Sequence, residues 1–252
     1  MFNSIYFLPM LNLNKHIVFF LFVLLIVSFS NISAQYENHS FSIAGYYNYT
    51  VTSSLFSNPR HADDWVRGYY QSIDYLPSYS VDIRYRISES VIVGLGLEYM
   101  KSTTVFNPVE GIAPDGPVTI AAEDGYELFP LELTVFYYLP FSSEEFKFFM
   151  GGGVGIYTGN INRDVSGVGV STVERKYDVG LNVIVGADYM VLDYLAIRGQ
   201  LKFRDPDFEV KSEYNEASTV VDDETILIRN NSFYSRINVD GIIFTLGAAL
   251  FF

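Results

Sequence analysis

The chain alternates apolar and polar residues from residue 41 onward. In the first run, the odd-numbered positions hold apolar residues such as Phe41, Ile43 and Tyr47, whereas the even-numbered positions hold polar residues such as Ser42 and Asn48. Successive side chains of a β-strand point to opposite faces, so this period of two predicts a strand with one apolar and one polar face.

Seven further runs repeat the pattern and bring the total to eight. The apolar side of each run holds only uncharged residues, whereas acidic and basic residues occupy the other side. A soluble sandwich also alternates, but it turns its apolar face inward. The apolar positions are Tyr79, Val81, Ile83, Tyr85 and Ile87; Val91, Val93, Leu95, Leu97 and Tyr99; Phe129, Leu131, Leu133, Val135 and Tyr137; Phe148, Met150, Gly152, Val154 and Ile156; Tyr177, Val179, Leu181, Val183, Val185, Ala187 and Tyr189; Leu195, Ile197, Gly199, Leu201 and Phe203; Ile242, Phe244, Leu246, Ala248, Leu250 and Phe252.

Long and short connections alternate between the runs, as in outer-membrane barrels with long outer loops and short periplasmic turns. Hydrocarbon offers backbone groups no hydrogen-bond partner, so a spanning sheet must close on itself. We therefore expect an all-β fold, an eight-stranded antiparallel up-and-down transmembrane β-barrel. The long connections are residues 53–74, 101–127, 158–176 and 205–236, and the short ones are 88–90, 140–145 and 190–193.

Aromatic residues gather near both ends of the predicted strands, where they form two girdles around an aliphatic band. Such girdles are typical of the two membrane-water interfaces. Tyr49, Tyr79, Tyr99, Phe129, Tyr177 and Phe203 lie toward the long connections, and Tyr85, Tyr137, Phe148, Tyr189 and Phe252 lie toward the short ones.

The first 34 residues resemble a cleaved export signal. An apolar stretch from Ile17 to Phe29 follows Lys15 and His16, and the segment Asn31-Ile32-Ser33-Ala34 after it has the small residues that suit a signal peptidase. This stretch is shorter than the roughly 20 residues that a spanning helix needs. We expect a signal peptide over 1–34, with Met10 as an alternative start, and a mature barrel over 35–252. The expected location is the outer membrane, with both termini in the periplasm.

The signal, the eight runs and the terminal alternation from Ile242 to Phe252 together resemble the small outer-membrane barrels of the OmpA/OmpX-like superfamily. The resemblance covers nearly the whole mature chain, through pattern more than through invariant motifs, and it implies fold rather than activity. In that superfamily the C-terminal strand is read by the barrel-assembly machinery, which makes this machinery an expected partner. The residues that match this assembly signal are Phe244, Leu246, Leu250 and Phe252.

Composition excludes several classes of function. The chain has no cysteine, and its formal net charge is −13. Disulfides and thiol chemistry are therefore excluded, and a nucleic-acid partner is disfavoured because phosphate backbones would be repelled. We expect no cofactor.

The polar sides of the runs predict an ion network in the lumen. Eight strands leave an interior just wide enough for side chains, so we favour a plug of paired charges. A narrow pore for small solutes or ions, lined by the same residues, is the alternative, and the charges disfavour a hydrophobic tunnel. Turn positions place Arg84 opposite Gly94 and Arg198 opposite Gly186. The expected members are Asp82, Arg84, Arg86, Glu98, Glu132, Asp178, Asp188, Arg198 and Lys202.

The loops offer little catalytic chemistry. His61 and Asp63 lie close together in a long connection, but their spacing matches no triad, so we expect a solvated loop and no enzyme; a lipid A-modifying enzyme is the third hypothesis. The second and fourth long connections are acidic, and the fourth could present oxygens to Ca²⁺ without an EF-hand spacing. We interpret them as solvated loops that present an acidic surface to an extracellular ligand.

Three basic residues flank the outer girdle: Lys101, Arg175 and Lys176. Their charge suits the phosphates of lipopolysaccharide, so we expect outer-membrane lipid and lipopolysaccharide as partners. In the last run the apolar parity changes between Ile237 and Ile242, for which we expect a bulge near Gly241.

Overall fold

A computed structural model of the protein describes residues 39–105 and 109–252. The expected signal peptide lies outside the described residues. The strands are β1 (Phe41–Phe56), β2 (Tyr70–Arg86), β3 (Val91–Val105), β4 (Val109–Ala113), β5 (Gly116–Ile120), β6 (Glu123–Leu128), β7 (Leu131–Tyr138), β8 (Phe146–Tyr157), β9 (Gly159–Val165), β10 (Val168–Arg175), β11 (Asp178–Leu192), β12 (Leu195–Arg204), β13 (Asp207–Tyr214), β14 (Ser218–Val221), β15 (Glu224–Ile228), β16 (Ser232–Asn238) and β17 (Gly241–Phe251). A short helix, α1 (Asp64–Gly68), lies between β1 and β2.

Eight antiparallel strands close into a barrel, as predicted. The order around the wall is β1, β2, β3, β7, β8, β11, β12 and β17, and β17 pairs with β1 to close the ring. The short turns after β2 and β7 lie where the sequence places them, whereas the third turn lies at residues 193–194 and not over 190–193, because β11 continues to Leu192. Of the described residues, none belongs to a helix long and apolar enough to cross a membrane.

The apolar side of each strand faces outward, as predicted. Leu133, Val135 and Leu181 are exposed, whereas their neighbours Thr134 and Asn182 are buried. Aromatic pairs mark both girdles, with Tyr99 and Phe129 near one end and Phe146 and Tyr189 near the other. Because a ring of exposed apolar side chains is unfavourable in water, this outer surface is the lipid-facing surface of a transmembrane barrel.

The strands continue well beyond the lipid-facing band, which corrects the expectation of four long loops. β6, β9, β10, β13 and β16 extend the wall into a second ring that includes the upper parts of β1, β2 and β3. Several residues expected in acidic loops therefore belong to strands. Glu209 lies on β13, and Asp124 on β6 is buried against Arg163, with contacts of 2.6 Å.

The break between β16 and β17 is not the bulge that the sequence predicts. Arg204 of β12 pairs with Gly241 of β17, and Asp207 of β13 pairs with Asn238 of β16. From the first pair to the second, each side of the ladder advances by three residues, so no extra residue is inserted and the register is unchanged. Ile237 is buried like Ile243. The apolar residues change sides because the interior is apolar in the outer half of the barrel and polar in the membrane half.

Two of the long connections pair with each other. β4, β5, β14 and β15 form a separate four-stranded sheet, here called the cap sheet, in the order β14, β15, β4, β5. Leu227 lies opposite Ile112 where the two hairpins meet, and Arg229 contacts Glu110 at 2.7 Å. The cap sheet packs through an apolar cluster against Val165, Val168 and Tyr214 at the ends of the wall strands.

Candidate functional site

Ionisable side chains fill the membrane half of the lumen in two clusters. The first cluster consists of two Arg–Asp pairs joined by a tyrosine. Arg84 contacts Asp82 at 2.8 and 2.9 Å, and Arg198 contacts Asp188 at 2.5 and 2.7 Å. The hydroxyl of Tyr46 donates to Asp82 at 2.7 Å and accepts from Arg198 at 3.1 Å. Five groups from four strands thus form one hydrogen-bonded unit.

The second cluster lies nearer the outer half of the barrel. Arg204 donates to both carboxylate oxygens of Glu98, at 2.8 and 3.2 Å. Lys202 donates to Glu132 at 2.7 Å, and the Tyr157 hydroxyl donates to the other oxygen of Glu132 at 2.9 Å. The two carboxylates therefore share the two cations, since Lys202 also lies 3.7 Å from Glu98.

Aromatic rings form a layer beneath the first cluster. The Arg84 guanidinium lies 3.8 Å from the ring centroid of Phe136 and 4.9 Å from that of Phe149. Phe251 completes the layer near Arg198. The glycine at Gly151 is required here, because a Cβ at this position would lie 2.6 Å from the Phe136 ring. Stacking on these rings compensates the guanidinium for lost water.

An apolar cluster occupies the lumen on the other side of the network. Met100, Tyr126 and Leu128 are fully buried there, together with Phe208 and Ile237. The network thus lies between an aromatic layer and an apolar layer, so its charges are shielded from water at both ends.

A small polar cavity of about 30 Å³ lies between the two ionic clusters. Asn48, Asp82 and Thr245 line it, each with one oxygen that has no hydrogen-bond partner within the part of the chain that the structure describes. A polar space of this size accommodates about one or two water molecules. This polar space lies within the ionic layer of the lumen.

The structure brings together seven of the nine residues predicted for the network. The other two lie elsewhere: Arg86 is near Tyr138 at the turn end of the barrel, and Asp178 accepts from the backbone N–H of Asp207 at 2.7 Å. The seven are Asp82, Arg84, Glu98, Glu132, Asp188, Arg198 and Lys202.

Two details of the network differ from the sequence analysis. Arg84 does lie opposite Gly94, but Arg198 pairs with Asp188 and not with Gly186, because the turn between β11 and β12 lies at residues 193–194 and the register changes again between Met190 and Leu192. Arg204 was missed. Because Arg204 follows the outward-facing Phe203, alternation along the strand predicts that its side chain points inward. It was left out because the strand predicted from the sequence ends at Phe203.

The remaining candidate residues lie outside this network. His61 is exposed, and its Nδ1 accepts the backbone N–H of Asp63 at 3.1 Å, while Asp63 caps α1. Lys101 contacts Glu127 at 3.0 Å and Lys176 contacts Glu209 at 2.9 Å. Across residues 39–105 and 109–252, no three His, Asp or Glu side chains are grouped to hold a metal ion.

The expected assembly residues lie along β17 and at its end. Phe244 and Leu246 point outward and are exposed, whereas Leu250 and Phe252 are half-buried. Arg175 is exposed at the end of β10.

No family model and no curated protein matches this chain. Several solved structures do. The outer membrane protein OprG from Pseudomonas aeruginosa is 15% identical, with a TM-score of 0.55 over 86% of this chain and 97% of that chain. Neisserial surface protein A is 12% identical, with a TM-score of 0.47 over 84% and 97%. Ail of Yersinia pestis is 11% identical, with a TM-score of 0.44 over 85% and 99%.

The fold is that of a small outer-membrane β-barrel. The likeness to OprG supports this statement together with the closed eight-stranded wall and its exposed apolar surface. At 15% identity the likeness extends to the fold and not to activity.

Proposed function

We propose that this chain is a non-catalytic integral outer-membrane protein with a largely plugged lumen, which serves envelope integrity or surface interaction through its outer loops. The observation that carries the proposal is the filling of the lumen by an aromatic layer, an ionic network and an apolar layer in succession. Such a barrel provides a rigid support for the loops and transports nothing through its centre.

The ionic layer is suited to a plug because its charges balance. Four acidic and four basic side chains take part, and each contacts a partner of opposite charge; they are Asp82, Glu98, Glu132 and Asp188 with Arg84, Arg198, Lys202 and Arg204. Opening a path would separate buried ion pairs, and an unpaired buried charge is costly.

Single-channel recording in planar bilayers tests the proposal. A plugged barrel gives no steady conductance under an applied potential. Protease protection shows in the same preparation that the protein is inserted in the membrane. A steady, ion-selective conductance of the wild-type protein would contradict the plug and support a narrow pore for small solutes or ions. The polar cavity between the two clusters is the feature that favours this second function.

The third hypothesis, a lipid A-modifying enzyme, has a separate test. Mass spectra of lipid A from cells with and without the protein should be identical if the barrel is non-catalytic. A new acylated or deacylated species would contradict the proposal.

The orientation of the barrel follows from its connections. We infer that both termini and the short turns face the periplasm, and that the cap sheet and α1 face the exterior. The cap sheet carries Glu110, Asp115, Asp222 and Glu224 on exposed positions, an acidic surface for an extracellular ligand. Assignment to the OmpA/OmpX-like superfamily, and recognition of β17 by the barrel-assembly machinery, remain predictions from the sequence pattern.

Lipopolysaccharide is the lipid partner that we propose for Lys101, Arg175 and Lys176. Two of these cations lie in exposed ion pairs, which are weak and exchange readily with phosphate. Neutralising all three should lower the melting temperature in lipopolysaccharide and leave it unchanged in detergent. Equal shifts in both media would contradict the proposal.

A further inference from the structure

The connection between β1 and β2, here called loop 1 (residues 57–69), contacts the outside of the barrel wall. Its Arg60 contacts Glu209 on β13 at 2.5 Å, with a second hydrogen bond of 3.1 Å to the other carboxylate oxygen. The same guanidinium lies 3.6 Å from the ring centroid of Tyr234 on β16. A bidentate ion pair that also stacks on an aromatic ring fixes Arg60 in position more firmly than a single contact would.

Glu209 and Tyr234 belong to the outer face of the wall. Their chain neighbours Phe208, Val210 and Ser235 are buried inside the barrel, and residues alternate between the two faces of a strand. Loop 1 therefore turns outward over the wall, whereas the hairpins of the cap sheet pack on the strand ends.

The contact made by Arg60 adjoins the lipid-facing surface. Glu209 also accepts a hydrogen bond of 2.9 Å from Lys176. The next residue, Tyr177, is 69% exposed and directly precedes β11, whose apolar side faces outward. Loop 1 is thus held at the edge of the lipid-facing surface, which is the level of the membrane-water interface.

Loop 1 presents aromatic side chains that nothing in the described chain covers. Trp65 is 80% exposed and Tyr69 is 61% exposed, and α1 has no buried residue. The helix is nevertheless well defined, because Asp63 accepts the N–H of Trp65 at 2.8 Å and Arg67 contacts Asp64 at 2.5 Å. A fixed helix that exposes tryptophan is unfavourable in water but suits the amphipathic interface of a membrane.

We propose that loop 1 is an interfacial anchor, with Trp65 and Tyr69 inserted among the lipid headgroups of the outer leaflet. The partner is the lipid surface itself. Arg60 and Arg67 belong to the same loop as the aromatic pair, Lys176 shares Glu209 with Arg60, and their positive charges complement lipid phosphate. The inference depends on the membrane-embedded barrel and is independent of whether the lumen conducts.

Trp65 makes the proposal directly testable, because it is the only tryptophan of the chain. The full-length protein is refolded into phosphatidylcholine vesicles that carry bromine either near the carbonyl region or deep in the acyl chains. We expect a blue-shifted emission maximum, strong quenching by the shallow bromines and weak quenching by the deep ones. Emission like that of a tryptophan in water, without quenching by either lipid, would overturn the proposal.

Arg60→Ala and Glu209→Gln test the contact that holds the loop. Each should shift the emission toward that of water and remove most of the quenching, while the circular dichroism of the barrel is retained. Arg229→Ala is the control, because it removes an arginine–glutamate ion pair of the cap sheet that lies outside loop 1. Quenching that persists unchanged in both loop variants would overturn the role assigned to Arg60.

Discussion

Glu98 and Arg204 join opposite walls of the barrel. β3 and β12 are separated by three strands in either direction around the ring, yet Arg204 donates to both oxygens of Glu98. Neither side chain is accessible to water. The pair therefore spans the lumen, and its energetics decide whether the interior is a stable plug.

Removing one member of this pair should be strongly destabilising. Glu98→Ala leaves a buried guanidinium without its main partner, and such a loss costs about 3–5 kcal/mol. The double variant Glu98→Leu with Arg204→Leu should lose much less than the sum of the losses of the single variants Glu98→Leu and Arg204→Leu. Urea unfolding of the refolded barrel in detergent micelles measures all of these variants, and additivity to within about 0.5 kcal/mol would show that the residues do not interact.

Shortening a plug residue should open the lumen. Arg84→Ala removes contacts to Asp82, Tyr46 and Gln200 and vacates the space above Phe136. Planar-bilayer recordings of this variant, and of Glu132→Ala, should show steady conductance where the wild type shows none. If both variants remain silent although they are folded and inserted, the ionic layer does not close the lumen.

Replacing Gly153 on β8 by alanine, the smallest residue with a side chain, should destabilise the barrel. A Cβ on Gly153 would lie 2.1 Å from the Leu133 carbonyl oxygen, whereas a Cβ on Gly199 meets nothing within 4 Å. Backbone atoms cannot move aside cheaply, so Gly153→Ala should cost about 1–3 kcal/mol of unfolding free energy. Gly199→Ala is the control and should be nearly neutral; similar losses in both would refute the close approach of β7 and β8.

The attachment of loop 1 should depend on pH. The hydrogen bond from Arg60 and the neighbouring Lys176 hold the pKa of Glu209 below its ordinary value, while Tyr234 and Glu174 are the other ionisable groups facing Arg60. The ionised carboxylate of Glu209 makes the contact, so the contact contributes fully at pH values above the ordinary glutamate pKa of about 4.3. This stabilisation is lost as the pH falls through the lower pKa that Glu209 has in the folded protein.

Trp65 emission therefore should not change between pH 7 and about 5 and should shift toward that of water only below about 4. The Glu209→Gln variant should show no such transition. A transition near neutral pH would assign the attachment to another group.

The wall was predictable from sequence because lipid tolerates no charge on its side of a strand. That rule predicts an outward Leu133 and an inward Glu132 from residue type and alternation alone, without information on the adjacent strands. It failed above the membrane, where the interior is itself apolar and Ile237 faces inward. Contacts such as that between Leu227 and Ile112 join distant hairpins, and no local pattern predicts them.

The network was predictable in membership but not in pairing. Parity indicates that Glu98 and Lys202 point inward, but which acid meets which base depends on strand register and on the width of the ring. A turn at residues 193–194 in place of 190–193, with a one-residue irregularity between Met190 and Leu192, was enough to replace Gly186 by Asp188 as the neighbour of Arg198.

The orientation of the side chains of β7 tests the central claim most directly. The chain has no cysteine, so a single cysteine introduced at each of positions 131–137 is the only site that a spin label modifies. Each labelled variant is then reconstituted in lipid vesicles. Labels at Leu131, Leu133, Val135 and Tyr137 should collide frequently with lipid-soluble oxygen and rarely with a water-soluble nickel chelate, whereas labels at the positions between them should be protected from both. Apolar positions that the nickel chelate reaches, or that oxygen does not reach, would contradict a lipid-facing wall around a filled lumen.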